Sequence, residues 1–79
     1  MEGTVVGVNR PLGRVVIEWG GQFLIAEGNR LELYERVGGP LDQRGEVTLR
    51  TASGPRTVFI QSSQCTRDFA EAYLHGPIG

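Results

Sequence analysis

The spacing of apolar residues over positions 1–27 predicts three β-strands. Valine, isoleucine and phenylalanine recur there between Asn9-Arg10-Pro11, Gly13 and Gly20-Gly21. This is the pattern of extended segments separated by turns. The expected strands are Gly3–Val8, Arg14–Trp19 and a third that follows Gly20-Gly21. Gly7 inside the first strand is typical of a bulge or bend in a curved sheet.

The link at Gly20-Gly21 leaves two registers open for the second hairpin. A two-residue turn pairs the face that carries Val15, Ile17 and Trp19 with Gln22, Leu24 and Ala26. A three-residue loop that includes Gln22 pairs the same face with Phe23 and Ile25. We expect the longer loop, because it gives the larger apolar face and the apolar pattern sets the register. Five side chains would then face outward: Arg14, Val16, Glu18, Leu24 and Ala26. In either register the Trp19 indole N–H is expected to donate to a carbonyl or to water.

The second half of the chain predicts one more hairpin. Residues 46–51 alternate polar and apolar side chains, with Val47 and Leu49 pointing inward. After a turn at residues 52–55, residues 56–61 return as a strand whose Phe59 is expected to cover the edge of the barrel or to meet the C-terminal helix. The intervening segment 31–37 fits either a short strand or a single helical turn.

A short amphipathic helix is predicted over Thr66–Leu74. Thr66 is a favourable N-cap, Asp68 lies in the first turn, and Gly76-Pro77 ends the helix. Its apolar residues stand four positions apart, Phe69 with Tyr73 and Ala70 with Leu74. Two turns are too short to be stable alone. The helix is therefore expected to dock on its own barrel, with docking across a dimer interface as the alternative.

The opening residues follow the start of a known family in order and nearly in spacing, over about the first third of the chain: Met1-Glu2-Gly3-Thr4-Val5, Asn9, Gly13, Ile17, Gly20-Gly21 and Phe23-Leu24-Ile25. They resemble the bacterial cold-shock proteins, and the resemblance implies a five-stranded OB-fold barrel that binds single-stranded RNA and DNA. The chain is also similar to short bacterial proteins with the same opening and a later Gly-Pro-Leu-Asp turn before a Thr-Leu-Arg strand, a likeness that implies no activity.

The base-stacking positions of the cold-shock pattern are changed in this chain. Where that family carries aromatic rings and a histidine on its first three strands, the corresponding residues here are Gly7, Arg14, Val16, Leu24 and Ala26. Stacking on an aromatic ring contributes about 1–3 kcal/mol per base. The resemblance therefore supports the barrel more strongly than the ligand.

These patterns together predict an all-β fold. We expect one domain over residues 1–79, with a small five- to six-stranded OB-like β-barrel at 1–63, or alternatively an SH3-like barrel, and a short C-terminal α-helix at 66–75. Twelve glycines and four prolines among 79 residues suit a fold with many tight turns. Segment 31–41 is where the two barrel types differ, because an OB-fold usually places a helix between its third and fourth strands.

Composition and charge indicate no enzyme chemistry. The net charge is −1, and all eight basic residues are arginine, so the chain has no overall cationic field to attract nucleic acid or an acidic membrane. Cys65 and His75 have no partners at metal-ligand or catalytic spacing. We expect no cofactor and no metal.

The N-terminus lacks an apolar leader and no stretch approaches a membrane span, which predicts a cytoplasmic protein without a membrane partner.

Two binding functions remain as hypotheses. The first is a barrel that weakly binds single-stranded RNA or DNA through arginines that can pair with phosphate or stack on bases: Arg10, Arg14, Arg50 and Arg56. The second is a protein-interaction or assembly module, with a foreign partner or as a homodimer, which uses apolar residues of the outer sheet face and of the helix: Val16, Leu24, Phe69 and Tyr73.

Overall fold

The computed structural model describes residues 1–76 of the chain, and this part contains six β-strands and one α-helix. The elements are β1 (Glu2–Asn9), β2 (Arg14–Trp19), β3 (Gln22–Glu27), β4 (Arg36–Gly38), β5 (Gly45–Thr51), β6 (Gly54–Cys65) and α1 (Arg67–Leu74). The predicted all-β barrel with a short C-terminal helix is confirmed.

The strands close into an antiparallel barrel in the order β1-β2-β3-β6-β5-β4. The three-residue strand β4 completes the circle: it pairs with residues 2–4 of β1 on one side and, through Gly38 and Arg50, with β5 on the other. Residues 28–35 connect β3 to β4 through turns and contain no helix. The Val5 N–H donates to the Glu35 carbonyl (2.9 Å) and the Tyr34 N–H to the Val5 carbonyl (2.7 Å), so this connection is fixed against β1.

The barrel interior is entirely apolar. Its buried residues come from every strand and from two connections: Val5, Val15, Ile17, Leu24, Ala26, Leu31, Val37, Leu41, Val47, Leu49, Val58 and Ile60. Trp19 packs against this core, and its indole N–H donates to the Ser63 carbonyl at 2.8 Å, which confirms the expected carbonyl partner. In β5 and β6 the predicted alternation is confirmed, because Val47, Leu49, Val58 and Ile60 are all buried.

The predicted three-residue loop between β2 and β3 is wrong. Trp19 pairs with Gln22 and Ile17 with Leu24, so Gly20 and Gly21 form a two-residue turn with φ of +55° and +78°. Two consecutive residues with positive φ match the twist of the flanking strands in a tight hairpin, and glycine adopts that conformation without steric cost. As a result Leu24 and Ala26 lie inside the barrel, not on its outer face as predicted.

A second apolar layer covers the outside of β1, β2 and β3. Val16 and Ile25 are buried there beneath Ala70 of α1. The apolar residues that pack around them are Val6, Phe23, Cys65, Tyr73 and Leu74. The helix therefore docks on its own barrel, as expected. The same arrangement explains the register error, since both faces of β2 and β3 are buried and either pairing satisfies an apolar pattern.

Local signals set the ends of α1 and the bulge in β1. The Thr66 hydroxyl accepts the Phe69 N–H at 3.2 Å, so the predicted N-cap is confirmed. Gly76 has φ +89° just after the helix, and Pro77 lies outside the described residues. The register of β1 against β2 shifts between Val5 and Gly7, which confirms the bulge predicted from Gly7.

The position of Phe59 was predicted incorrectly. Phe59 is 48% exposed on the outer face of β6. The barrel is closed, so there is no open edge for Phe59 to cover, and Phe59 is not among the residues that pack in the apolar layer under α1. The strand itself runs from Gly54 to Cys65, longer than the predicted 56–61, and its second half pairs with β3.

Replacing Gly3 should destabilise the barrel more than replacing a turn glycine. A Cβ atom at Gly3 would lie 2.6 Å from the Glu18 carbonyl oxygen and 2.9 Å from Ile17 Cγ2. Because the first of these is backbone, the strand pair must shift, and we expect Gly3→Ala to lower the free energy of unfolding by about 1–3 kcal/mol. Urea unfolding at neutral pH measures the loss.

Gly21→Asn is the matched control for Gly3→Ala. Gly21 has no atom within 4 Å of its added Cβ, and asparagine tolerates positive φ better than most residues. Equal losses for the two variants would contradict the close approach at Gly3.

Candidate binding surfaces

A groove lies between α1 and the outer face of the sheet, and we call it the α1 groove. Its volume is about 280 Å³. The floor and the helix wall are mostly apolar and consist of Val6, Gly7, Val16, Phe23, Ala70 and Leu74, while the charged lining residues are Glu18, Arg67 and Glu71. The lining positions of α1 recur every three or four residues, so one face of the helix forms the wall.

Two side chains of the barrel hold the C-terminal end of α1 in place. The Asn9 side-chain amide donates to the Leu74 carbonyl at 2.7 Å, and an Arg14 guanidinium N–H donates to the Tyr73 carbonyl at 2.8 Å. Both carbonyls lie in the last turn, where a helix provides no intrahelical donors, and the Tyr73 carbonyl also accepts the Gly76 N–H at 3.1 Å. The Arg14 guanidinium also lies over the Tyr73 ring, 4.7 Å from its centroid, a cation–π distance. Leu74 packs so closely on Gly7 that an added Cβ would be 2.6 Å from its Cδ2.

Tyr73 is the titratable group that this packing perturbs. Its hydroxyl oxygen is buried without a hydrogen-bond partner among the described residues. Burial raises the pKa of Tyr73 above its usual value, the negative charge of Glu27 raises that pKa further, and the charge of Arg14 opposes the increase. The phenol of Tyr73 therefore stays protonated to a higher pH than the phenol of a solvent-exposed tyrosine.

The four arginines predicted to bind nucleic acid do not form one patch. Arg10 donates to the Asn29 and Leu31 carbonyls and forms an ion pair with Glu32 at 3.0 Å. Arg14 is engaged by α1, as described above. Both guanidinium groups thus bind the backbone of this protein. Arg56 lies on β6 and donates to the Pro55 carbonyl at 2.9 Å.

Arg50, on β5, is brought together with an arginine that the sequence did not single out. Arg36 and Arg50 line a shallow cleft of about 300 Å³ with Glu2, Val37, Gly38 and Thr51, which we call the arginine cleft. It forms because β4 pairs with both β1 and β5. Arg36 lies 3.4 Å from Glu2 across the cleft, and both of these side chains are largely exposed. Such an exposed pair holds its partners only weakly. A three-residue strand with one apolar residue gives little sequence signal, so Arg36 could be placed only by the structure.

The four predicted partner-binding residues have different environments. Val16 is buried under α1, and Leu24 is fully buried in the barrel. The prediction that both are exposed is therefore wrong. Tyr73 is half-buried beneath Arg14. Phe69 remains a surface residue, with 59% of its area exposed on α1. The apolar residues of α1 therefore have two kinds of environment: Ala70 and Leu74 pack on the sheet, and Phe69 faces solvent.

Other reactive side chains are scattered. Cys65 is half-buried in the layer under α1, and His75 is exposed at the end of the helix. Residues 1–76 contain no group of three or more His, Cys, Asp and Glu side chains placed to hold a metal ion. No helix in the same range is long and apolar enough to cross a membrane.

Comparison of the chain with protein-family models, with curated proteins and with solved structures yields no match.

The raised pKa of Tyr73 predicts an alkaline loss of stability. As the pH rises, the unfolded chain loses the phenolic proton first, near its ordinary pKa of about 10. The stability contributed by neutral Tyr73 is therefore complete below about pH 10 and is lost as the pH rises through the folded value. We expect Tyr73→Phe to remove the part of the alkaline decrease in the free energy of unfolding that comes from Tyr73. Urea unfolding between pH 7 and pH 11 measures this free energy.

Tyr34→Phe is the control for this experiment, because the Tyr34 ring is 73% exposed. The free energy of unfolding of the Tyr34→Phe variant should decrease with rising pH as it does in the wild-type protein. If Tyr73→Phe also follows the wild-type curve at every pH, the burial of the Tyr73 hydroxyl does not govern the alkaline transition.

Proposed function

We propose that the chain is a small non-catalytic β-barrel binding module, and that its ligand is another protein, bound in the α1 groove. The observation that supports this proposal is an apolar groove with charged residues in its lining, built on a rigid sheet and a docked helix. Interfaces between proteins commonly combine an apolar centre with a polar rim.

The size of the groove favours side chains of a partner over a small organic ligand. Its volume of about 280 Å³ falls just below the roughly 300–1,000 Å³ of typical small-molecule pockets. It suits one or two apolar side chains inserted from a partner surface. The charged lining residues Glu18, Arg67 and Glu71 carry two negative charges and one positive charge, a mixed set that favours a polar protein rim over a polyanion.

The covering of the sheet also argues for a protein ligand at this face. Gly7, Arg14 and Val16 occupy positions that the cold-shock resemblance assigns to base stacking, and all three are in contact with α1 or buried beneath it. A single strand could lie flat on this part of the sheet only if α1 left its site.

The groove predicts where a partner will cross-link. A photoreactive benzoylphenylalanine that replaces Glu71, exposed in the groove lining, should form adducts with one protein in cells that express the chain. The same group in place of Thr48, exposed on β5 outside the groove, should form far fewer. Equal yields at the two positions would contradict the proposal.

The captured protein, once purified, allows a quantitative test. Phe23 lies in the groove floor, and truncating a hot-spot residue at the centre of an interface costs about 2 kcal/mol or more. Phe23→Ala should therefore weaken binding about tenfold or more in calorimetry. Phe69→Ala removes an exposed ring outside the groove lining and should weaken it less. Urea unfolding of both variants separates lost binding from lost stability.

The arginine cleft supports single-stranded nucleic acid as a second candidate function. Arg36 and Arg50 face the same cleft, and two guanidinium groups at one site can bind successive phosphates. Thr51 adds a hydroxyl group beside them. This site is separate from the sheet face that α1 covers, so it remains open to a polyanion.

A salt titration tests the second candidate. A labelled twelve-residue oligothymidylate should bind at low salt and weaken as salt rises. Replacing Arg36 and Arg50 together by glutamine should reduce the logarithmic salt dependence by roughly 0.7 for each phosphate that the cleft no longer neutralises. Arg67→Gln is the matched control on α1. No binding at tens of micromolar protein in low salt, or an equal effect of the control, would contradict a role for the cleft.

A further inference from the structure

Phe59 lies between two glutamates in a cross-strand row on the side of the barrel formed by β3, β6 and β5. Phe59 on β6 is directly opposite Glu27 on β3 and directly opposite Glu46 on β5. All three side chains point outward: Glu27 and Glu46 are exposed, and Phe59 is 48% exposed. We call this set the Phe59 row. It contains no residue of the α1 groove or of the arginine cleft.

Neither carboxylate of the Phe59 row forms an ion pair within residues 1–76. The ion pairs found there involve Glu32 and Glu2. Arg14 is opposite Glu27 on β2, but its guanidinium donates to the Tyr73 carbonyl and lies over the Tyr73 ring. Arg44 lines the hollow beside Phe59, and its Nε donates to the Gln61 carbonyl. Neither arginine forms an ion pair with Glu27 or Glu46.

The spacing of the row matches one cationic side chain. Adjacent strands lie about 4.8 Å apart, so the backbones that carry Glu27 and Glu46 are separated by roughly 10 Å, with the backbone of Phe59 midway between them. A cation above the ring is attracted by the π electrons, and a carboxylate on each side adds charge-assisted hydrogen bonds. A guanidinium fits this site better than an ammonium, because it is planar and can stack on the ring while it donates sideways.

We propose that the Phe59 row binds an arginine side chain in a basic segment of a partner protein. The occupant follows from charge complementarity: an exposed ring alone would accept any apolar group, but the flanking carboxylates select a cation and repel nucleic acid. The proposal is independent of the α1 groove and would give the barrel a second protein-binding surface.

A short peptide tests the proposal directly. Acetyl-Gly-Arg-Gly-Arg-Gly-amide, titrated into the ¹⁵N-labelled protein at low salt, should shift the amide signals of Glu27, Glu46 and Phe59 first. The same peptide with citrulline in place of arginine keeps the shape and loses the charge, and it should cause little change. Equal shifts with the two peptides would overturn the proposal.

Variants separate the contributions of the ring and the carboxylates. Phe59→Leu keeps an apolar residue and removes the π system, and it should weaken peptide binding about two- to fivefold. Glu27→Gln with Glu46→Gln should weaken it further. The matched control is Glu18→Gln with Glu71→Gln, which changes the net charge equally at the α1 groove. Equal affinities for the two double variants would overturn the proposal, because binding would then follow net charge alone.

The two proposed surfaces can fail separately. Phe23→Ala alters the α1 groove and should leave arginine-peptide binding unchanged, whereas Phe59→Leu should leave cross-linking from position 71 unchanged. Loss of arginine-peptide binding in a stably folded Phe23→Ala protein would overturn the assignment of the peptide to the Phe59 row.

Discussion

The outer face of β1, β2 and β3 is apolar and has to be covered, and the position of α1 follows from that requirement. Val16 and Ile25 are as apolar as the barrel interior and would expose a hydrophobic sheet to water without α1. A two-turn helix has little stability of its own, so sheet and helix depend on each other. Their close contact needs Gly7, whose missing side chain leaves room for Leu74.

The covering helix changes what the resemblance to cold-shock proteins can mean. In this chain the outer face of the first three strands serves as a second hydrophobic core. With α1 docked, this face is therefore covered and is not open to a ligand. The α1 groove lies at its margin, and the arginine cleft and the Phe59 row lie on other strands. The opening sequence sets strands and turns, and a fold alone does not determine a ligand.

Short-range signals made much of the fold predictable. Turn glycines located β1, β2 and β3, alternation located the β5–β6 hairpin, and Thr66 located the start of α1, because each of these signals acts within a few residues. The register of β2 with β3 was not predictable in the same way, since residues 15–17 and 23–26 are apolar on both faces. Strand β4 is too short to carry a pattern. The groove and the arginine cleft arise from contacts between distant parts of the chain, such as Asn9 with Leu74.

Three of the eight arginines have a structural role that the sequence did not suggest. Arg10, Arg14 and Arg44 donate to backbone carbonyls 17 or more residues away in the chain. Through these bonds they fix the connection after β3, the end of α1 and the second half of β6. A guanidinium presents several donors in a rigid plane, and Arg14 uses that plane to bond a carbonyl and stack on Tyr73 at once, which a lysine ammonium cannot do. Arginine content in a small barrel is therefore weak evidence for an anionic ligand until each guanidinium has been placed. In this chain Arg36 and Arg50 line one cleft together, whereas Arg10, Arg14 and Arg44 bind backbone carbonyls.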